Sequence, residues 1–466
     1  MDFNKTIDLF PDRFQLVFFP ETGVSVTGAD LRNLSARCAA WLQGRGYKTI
    51  GIHMVNCPEF VYLLTGALRT GVKVVLFNAL SSIETDIPVF ERETVEEILR
   101  DRSVDSAGFP RKDWGLDEAL LALYTSGTNG ERKLIEKCIK NFYGKKGIRP
   151  MWRFFTRLLG IRMYNCTPWY HNTGITLLLL ALGGVFFTQI TAGRFNPQTM
   201  RKNINSTLPV LVLATPTMLA RGACCGKIHL PPLICCAGEF LSGETLDLLE
   251  RNGGGQFLYI AYATTETGPI TNCLYVFDSV RFKGKVILAL LRAFGLKDML
   301  FNKKTFKPRC VGALRKGVEV DFSEKGEILV RTKTMTAGGD RELHNTGDIG
   351  YRQDNFLFIT ARSSSIINRS GEKIDPGDIE KVLSGLTGVR SVEVFGIPSP
   401  THGEAICAAI ESDGGAPVID RSFLENVLPH YLIPSHLLFF DRFPMNESGK
   451  IDLAKLKATA ISSFSV

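Results

Sequence analysis

Several features that mark particular protein classes are missing from this sequence. Its most hydrophobic run, residues 175–187, is interrupted by Gly183 and Gly184 and is too short to span a bilayer. The N-terminal residues are too polar and acidic for a secretory signal peptide. The adjacent cysteine pairs lack the CxxC spacing of a zinc knuckle, so we expect the 11 cysteines to be thiols in a reducing compartment. These absences predict a cytoplasmic protein.

The chain also has little excess of one charge sign. Its 466 residues include 55 Lys and Arg against 47 Asp and Glu, which gives a formal net charge of +8. A mild basic excess suits anionic partners such as nucleotides or lipid head groups, but it is no nucleic-acid signature. We therefore expect no nucleic acid partner. The chain length and 45% of hydrophobic residues predict a globular protein of two or three domains.

Helix-like and strand-like segments alternate through the first 263 residues. Helices are predicted at 31–46 and 58–71, and a buried helix, a Gly-Gly turn and a strand at 175–190. Residues 80–117 are predicted to form a long connection with a short helix at 92–101. Apolar strands are predicted at 48–54, 73–78, 210–214, 232–238 and 257–263. This alternation predicts a parallel sheet covered by helices on both faces.

The pattern changes from about residue 311. Residues 317–333 alternate apolar and polar side chains between glycines, which predicts antiparallel hairpins. A compact α+β region is predicted near the C-terminus, with strands at 390–398 and 405–412 and a helix at 421–430. We expect an α/β fold with a large N-terminal domain, residues 1–362, and a smaller α+β C-terminal domain, residues 363–466. The large domain would contain mixed, mainly parallel sheets covered by helices, plus a small β-barrel-like part.

Five short segments carry polar residues suited to chemistry. The first, YTSGTNGERK at 124–133, follows an apolar strand, and its N–H and O–H groups could face phosphate oxygens. It lacks the Walker pattern GxxxxGKS/T, and alone it fits a solvated turn equally well. The other segments are PWYHNTG (168–174), YATTETG (262–268), HNTGDIG (344–350) with the following residues 358–380, and PMNESGKID (444–452).

In this order, the five segments resemble the motifs of the adenylate-forming superfamily of acyl-CoA synthetases, adenylation domains and luciferases. The resemblance covers roughly residues 15–460. It implies that a carboxylate attacks the α-phosphate of ATP to give an acyl-adenylate and pyrophosphate. A thiol, most often that of coenzyme A, then displaces AMP. The implied protein is an AMP-forming acid–thiol ligase that uses ATP, Mg²⁺ and coenzyme A.

The resemblance also implies where ATP would bind. The loop that closes over the β- and γ-phosphates would contain Thr125, Ser126, Gly127, Thr128, Gly130 and Lys133. Within this loop, Asn129 stands where threonine is usual and Arg132 where proline is usual. Both replacements keep polar or positively charged groups near the phosphates.

The remaining nucleotide contacts come from later segments. Tyr262 would stack on adenine, and the turn around Gly238 would line the base pocket. Thr265 would lie beside the α-phosphate. Asp348 would accept hydrogen bonds from both ribose hydroxyls, and Arg362 matches an arginine of the same pattern.

The implied catalytic residues are Lys450, Glu266 and His171. Lys450 would stabilise charge as the carboxylate attacks the α-phosphate. Glu266 would bind Mg²⁺, since a carboxylate suits that hard cation. His171 would border the acyl pocket, although an isolated histidine is more often a core residue. Gly371 would let the pantetheine arm pass after the C-terminal domain rotates about a hinge at position 364.

Residues 272–307 bear on the identity of the acyl group. They are basic and apolar and resemble the fatty-acid-transport branch of very-long-chain acyl-CoA synthetases. This favours a medium- to long-chain fatty acid as substrate. The segment 283–304 could lie peripherally on an anionic membrane surface, but a core-facing helix pair fits the same pattern.

Two other functions stay open. The acyl-adenylate could pass to a carrier protein or another nucleophile. The chain could also be a degenerate, non-catalytic relative that binds nucleotide or lipid, because Asn129, Ala263, Ala361 and Ser364 depart from the usual pattern.

Overall fold

The computed structural model describes residues 1–79, 83–101, 103, 108–126, 132–143, 160–239, 241, 243–252, 255–277, 300–301, 307, 309–332, 343–412, 419, 421–446 and 450–464. The chain divides into two compact units. Unit 1 comprises Met1–Asp321, Val330–His344 and Arg352–Phe358, and unit 2 comprises Phe322–Leu329, Asn345–Tyr351 and Ile359–Val466. The domain boundary at 362/363 stays a prediction.

The helices of unit 1 begin and end at residues that suit helix termini. At the start of α2, the Thr27 Oγ1 accepts from the Asp30 N–H at 3.1 Å, and the Asp30 carboxylate accepts from the Thr27 N–H at 3.0 Å. Pro58 opens α3, and Gly71 closes it with φ +83°. These helices are α1 (Phe3–Asp8), α2 (Gly28–Gly44), α3 (Pro58–Thr70), α4 (Arg92–Arg100), α5 (Ile139–Tyr143), α6 (Asn172–Leu182), α7 (Pro197–Thr207), α8 (Pro216–Cys224) and α9 (Gly243–Arg251).

The first sheet of unit 1 has the strand order β5-β3-β4-β6-β7. Its strands are parallel except for β7, which forms an antiparallel hairpin with β6. Apolar residues on β3 and β4 are buried because helices cover both faces of a parallel sheet. The strands are β3 (Thr49–Ile52), β4 (Lys73–Leu76), β5 (Val89–Phe90), β6 (Ala119–Ser126) and β7 (Arg132–Cys138).

A second sheet of unit 1 has the order β17-β15-β12-β11-β10-β8-β9-β1-β2. The strands from β12 to β1 are parallel, whereas β2, β15 and β17 pair antiparallel. The strands are β1 (Gln15–Phe19), β2 (Val24–Thr27), β8 (Arg162–Asn165), β9 (Thr188–Thr191), β10 (Leu211–Ala214), β11 (Leu233–Ala237), β12 (Phe257–Ala261), β15 (Thr271–Val276) and β17 (Cys310–Leu314). The short strands β13 (Ala263–Thr264) and β14 (Gly268–Pro269) form a separate ladder, and β16 (Leu300–Phe301) pairs with β15.

Unit 2 contains a sheet of order β23-β22-β25-β24, with β26 parallel to β25. The buried Glu411 accepts hydrogen bonds from Arg390 at 3.0 Å, Arg442 at 3.1 Å and the Phe443 N–H at 2.8 Å. These donors compensate the burial of its charge. The elements are β22 (Ile367–Arg369), β23 (Glu372–Ile374), α10 (Pro376–Ser384), β24 (Val389–Ser399), β25 (Gly403–Ser412), α11 (Arg421–Val427), β26 (His436–Phe440) and α12 (Leu453–Phe464).

Four further strands contain residues of both units. They are β18 (Glu319–Phe322), β19 (Glu327–Arg331), β20 (His344–Gln353) and β21 (Phe356–Arg362). Short 3₁₀ turns follow at Ser363–Ser365 and, later, at His430–Leu432. The hairpins predicted for 317–333 correspond to β18 and β19.

The predicted fold class, mixed and mainly parallel sheets with a smaller α+β region, is confirmed. Within the connection 80–117 the prediction missed a strand, since β5 lies there as well as α4. Two residues are too few to show strand periodicity, and β5 is defined by its pairing with β3, where Gly51 lies opposite Val89. The helix predicted for 421–430 ends at Val427, ahead of Pro429, which cannot donate an N–H to helix hydrogen bonding.

Within the described ranges, no helix is long and apolar enough to cross a membrane. The segment predicted to lie on a membrane surface, 283–304, falls outside the described residues except for Leu300 and Phe301. Membrane contact therefore stays a prediction.

All 11 cysteines are thiols, as predicted. Most are buried, and burial raises the pKa of Cys38 and Cys57 to about 12. Cys224 and Cys225, at the end of α8, are exposed. Because a thiol reacts as its thiolate, the buried groups should be inert in the folded protein.

We expect a disulfide reagent such as Ellman's reagent to modify Cys224 and Cys225 rapidly in the native protein, and the other thiols only after unfolding. Absorbance at the thionitrobenzoate band, with and without denaturant, measures this. The double variant Cys224→Ser, Cys225→Ser should lose the rapid phase. A rapid phase that persists in this variant would show that a thiol other than Cys224 and Cys225 is accessible in the native protein, contrary to the prediction.

Candidate active site

The hairpin of β6 and β7 carries the glycine-rich loop. Thr125 pairs with Lys133 and Ser126 with Arg132, so the hairpin fixes both ends of the loop. The predicted loop residues Gly127, Thr128 and Gly130 lie outside the described residues, as does Asn129. Lys133 is exposed at the start of β7. The described ends of the predicted loop thus pair with each other in a two-stranded ladder.

The predicted metal-binding carboxylate lies in a turn held by hydroxyl groups. Glu266 follows β13, and the Thr264 Oγ1 accepts from the Thr267 N–H at 3.1 Å. The Thr332 Oγ1 donates to the Thr267 carbonyl at 2.6 Å. Directly before β13, the Tyr262 carbonyl accepts a hydrogen bond from the Ile270 N–H at 2.8 Å. These bonds hold Thr265 and Glu266 in a defined turn, partly exposed to solvent.

A buried lysine, Lys137 on β7, contacts this turn. The Lys137 ammonium donates a hydrogen bond to the Thr265 carbonyl, and only 3% of the surface of Lys137 is exposed. Burial lowers the pKa of Lys137 to about 8, and the negative charge of Glu266 opposes that shift. The hairpin strand and the Glu266 turn are therefore in direct contact.

His344, at the start of β20, is a further neighbour of the same carboxylate. Burial lowers the pKa of His344, the Glu266 charge acts to raise it, and the Lys133 charge acts to lower it. The predicted residues Lys133 and Glu266 thus act electrostatically on one side chain. Unit 1 thus places the charges of Lys133, Lys137 and Glu266 and the His344 ring close enough to influence one another.

Sequence reasoning missed Lys137 and His344. The signal for Lys137 was its position two residues after the apolar Ile135. Because side chains alternate between the two faces of a strand, the two residues share a face. Nothing in the local pattern around His344 distinguished it from the surrounding polar residues.

The predicted adenine pocket lies at one edge of the second sheet. Ala237 of β11 pairs in parallel with Ala261 of β12, and the next residues along the chain are Gly238 and Tyr262. Parallel neighbours end at the same edge, so these two residues lie close together. Gly238 has φ +89°, a conformation that glycine adopts without strain.

The PWYHNTG segment is fixed by buried amide side chains. The Asn56 Oδ1 accepts from the Trp169 N–H at 2.8 Å, and the Asn165 Oδ1 accepts from the Thr167 Oγ1 at 2.6 Å. The Trp169 ring is fully buried, with its centroid 5.2 Å from that of Phe60. Packing and hydrogen bonds therefore place this segment rigidly at the start of α6.

His171 is the N-cap residue of α6 and is partly exposed. Its ring lies 4.8 Å from that of Tyr170, centroid to centroid. Three residues later, a Cβ on Gly174 would lie 2.1 Å from the Pro168 carbonyl oxygen. The close approach of the helix to the preceding turn requires glycine at this position and sets the place of His171.

In unit 2, two predicted residues form an ion pair. The Arg362 Nε donates to the Asp348 Oδ1 at 2.9 Å, and the Asp348 side chain is only 7% exposed whereas that of Arg362 is 66% exposed. The Thr346 Oγ1 accepts from the Asp348 N–H at 3.2 Å, which fixes the turn. A buried carboxylate with one oriented partner is a suitable acceptor for hydroxyl groups.

The other predicted residues of unit 2 lie in separate turns. Gly371 has φ +91° and is exposed between β22 and β23. Ser364 lies in a 3₁₀ turn directly after β21. The Lys450 N–H donates to the Asn446 Oδ1 at 3.0 Å, and its carbonyl accepts from the Asn446 N–H at 2.7 Å. This pair of backbone-anchored bonds fixes the base of the Lys450 side chain.

Solved structures share this architecture. A crystal structure of ATP-bound MatB from Rhodopseudomonas palustris matches 98% of this chain and 99% of that chain, with a TM-score of 0.76 at 19% identity. The o-succinylbenzoate CoA synthetase from Bacillus subtilis, in complex with its acyl-adenylate intermediate, matches 98% and 97%, with a TM-score of 0.73 at 21% identity. This chain therefore shares the fold of these two solved structures.

The sequence itself gives the family. Residues 3–101 and 82–338 match the model of the AMP-binding enzyme family, and residues 378–450 match that of the AMP-binding enzyme C-terminal domain. Together these matches cover well over half of the chain, and the protein belongs to the AMP-binding enzyme family.

Named relatives are CoA ligases. The 2-succinylbenzoate–CoA ligase of Bacillus licheniformis is 24% identical over 97% of this chain and 98% of its own length. The mitochondrial medium-chain acyl-CoA ligase ACSF2 of Homo sapiens is 25% identical over 90% of this chain and 71% of its own length. YngI of Bacillus subtilis is 24% identical over 75% of this chain, which spans 65% of that protein. The predicted class of AMP-forming acid–thiol ligase agrees with these names, and the fatty-acid-transport branch stays a prediction.

The close contact at Gly174 yields a stability prediction. Because a Cβ there would overlap the Pro168 carbonyl, Gly174→Ala should lower the free energy of unfolding by about 1–3 kcal/mol. Urea denaturation followed by tryptophan fluorescence measures this. Gly44→Ala, at the end of α2 with no atom within 4 Å of the added Cβ, is the control and should change stability little. Equal unfolding midpoints for both variants would contradict the steric account.

Proposed function

We propose that this protein activates a carboxylic acid with ATP and transfers the acyl group to coenzyme A. The carboxylate oxygen attacks the α-phosphorus, and the bond to the bridging oxygen breaks, so that pyrophosphate leaves with the electron pair. The coenzyme A thiolate then attacks the acyl carbon, and AMP leaves. The observation that carries this proposal is the contact between the loop-bearing hairpin and the Glu266 turn, because it joins a phosphate-binding element to a metal-binding carboxylate.

Several of the predicted residues would contact ATP. Gly238 and Tyr262, which directly follow β11 and β12, would bind the adenine base. The loop residues Thr125 to Lys133 would bind the terminal phosphates. Asp348, oriented by Arg362, would accept from the ribose hydroxyls. Thr265, whose carbonyl is held by Lys137, would lie beside the α-phosphate.

Glu266 would hold Mg²⁺. Its carboxylate, in a turn rich in threonine hydroxyls, offers the hard oxygen donors that this cation prefers, alongside phosphate oxygens and water. When bound, the cation neutralises charge on the phosphates. Lys133 and His344, which act on the same region, add positive charge and a hydrogen-bonding group near that site.

A medium- to long-chain fatty acid remains the proposed substrate. The human relative named as a medium-chain acyl-CoA ligase supports it, whereas the relatives named as 2-succinylbenzoate–CoA ligases favour an aromatic acid as the second candidate. His171, held rigidly at the start of α6, would border the acyl group.

Carboxylate-dependent ATP–pyrophosphate exchange tests the proposed reaction. We expect exchange with medium- to long-chain fatty acids, and net acyl-CoA formation once coenzyme A is added. Exchange with 2-succinylbenzoate alone would show that the substrate is this aromatic acid and not a fatty acid. Exchange without consumption of coenzyme A would indicate a carrier protein or another acceptor. Absence of exchange with every acid, while ATP still binds, would overturn the enzymatic function.

Lys450 should act in the first half-reaction only. We expect Lys450→Ala to slow acyl-adenylate formation by about 100- to 1,000-fold, the typical loss when one transition-state contact is removed. Preformed acyl-adenylate should still react with coenzyme A at close to the wild-type rate. Single-turnover measurements of each half-reaction give both values.

Lys455→Ala is the matched control for this experiment. Lys455 is a lysine of the same unit, 68% exposed, with its ammonium 3.4 Å from the Asp452 carboxylate. Such a surface pair contributes little, so both half-reactions should stay unchanged. If Lys450→Ala slowed both half-reactions equally, the role given to Lys450 would be wrong.

A further inference from the structure

The strand that follows the glycine-rich loop carries a buried lysine that the reaction described above does not use. Lys137 lies four residues after Lys133 on β7, and only 3% of its surface is exposed. Placing an ammonium in a protein interior is unfavourable unless a partner compensates its charge. A leucine or methionine would fill similar space without that cost. The lysine therefore requires a reason beyond packing.

Its partners both belong to the Glu266 turn. The ammonium donates to the Thr265 carbonyl, and the Glu266 carboxylate provides the main electrostatic compensation for its burial. On β7, the next residue towards the loop, Glu136, points to the opposite face and forms an ion pair with Lys73 of β4. One face of β7 thus carries a side chain that pairs with β4, on the far side of β6, and the other face contacts the turn.

The hairpin register extends this connection to the loop. Leu121 pairs with Lys137, and the ladder continues to Thr125 and Lys133 at the loop. Paired strands move together, so the Lys137 ammonium links the element that would carry the phosphates to the turn that would carry the cation.

We propose that Lys137 is a positioning residue, which fixes the Glu266 carboxylate relative to the phosphate-loop hairpin through its contact with the Thr265–Glu266 turn. It does not itself contact the reacting atoms. This inference rests on the proposed function, since it assumes that Glu266 holds Mg²⁺ and that the loop holds the phosphates of ATP.

The test compares Lys137→Met with wild type by calorimetric titration of MgATP. Methionine keeps most of the volume of lysine but has neither charge nor donor. We expect its affinity for MgATP to fall about tenfold, as is typical when a group that orients a metal ligand is removed. The Mg²⁺ concentration for half-maximal ATP–pyrophosphate exchange should rise by a similar factor. The reaction of preformed acyl-adenylate with coenzyme A should be unchanged.

Lys73→Met is the matched control, because it removes an ammonium that pairs with the opposite face of the same strand. We expect its MgATP affinity to stay within about twofold of wild type, as for a partly exposed ion pair. If a well-folded Lys137→Met kept wild-type affinity and Mg²⁺ dependence, the proposal would be overturned. Equal losses in both lysine variants would also overturn it, since they would indicate a general disturbance of the hairpin.

Two measures keep the test decisive. If Lys137→Met does not fold, Lys137→Gln, which keeps an N–H donor for the Thr265 carbonyl, is titrated instead, with an expected loss of about threefold; unchanged affinity would overturn the proposal. The titration needs no turnover. A wild-type protein that binds MgATP but shows no exchange therefore contradicts the proposed function, while the calorimetric comparison still decides the role of Lys137.

Discussion

The arrangement of the candidate site in unit 1 depends on parallel strand pairing. In a parallel sheet all carboxyl ends lie at one edge, so the segments that follow successive strands meet there whatever their separation in sequence. The pairing of Ala237 with Ala261 brings Gly238 and Tyr262 together at that edge. The turn with Glu266 follows within a few residues. The same register that buries the apolar strands thus gathers the polar residues.

Buried polar groups then fix what the sheet has gathered. Asn56 and Asn165 hold the PWYHNTG segment through hydrogen bonds in the buried interior. Lys137 contacts the Thr265–Glu266 turn, and Asp348 is paired with Arg362 in unit 2. Each group would be costly to bury without its partner, so each fixes one arrangement of the backbone around it.

Much of the fold was predictable because it depends on local periodicity. The helices α2 and α3 and the strands β10, β11 and β12 have apolar spacing and end signals that a reader can recognise in the sequence. The strand β5 was not predictable, since its two residues become a strand only through pairing with β3. The predicted site residues came from the order of short motifs, which gives their identity but not their contacts.

The family, the alternation of helices and strands, and the residue types available for chemistry can be read from the sequence, because they depend on local spacing and motif order. The folded arrangement was needed to show that Lys137 is buried against the Glu266 turn, that His344 lies in the same electrostatic environment, and that Asp348 and Arg362 are partners. The hydrogen bond from Lys137 to the Thr265 carbonyl, for example, joins residues 128 positions apart along the chain. Such contacts arise from strand register and burial, which no short segment encodes alone.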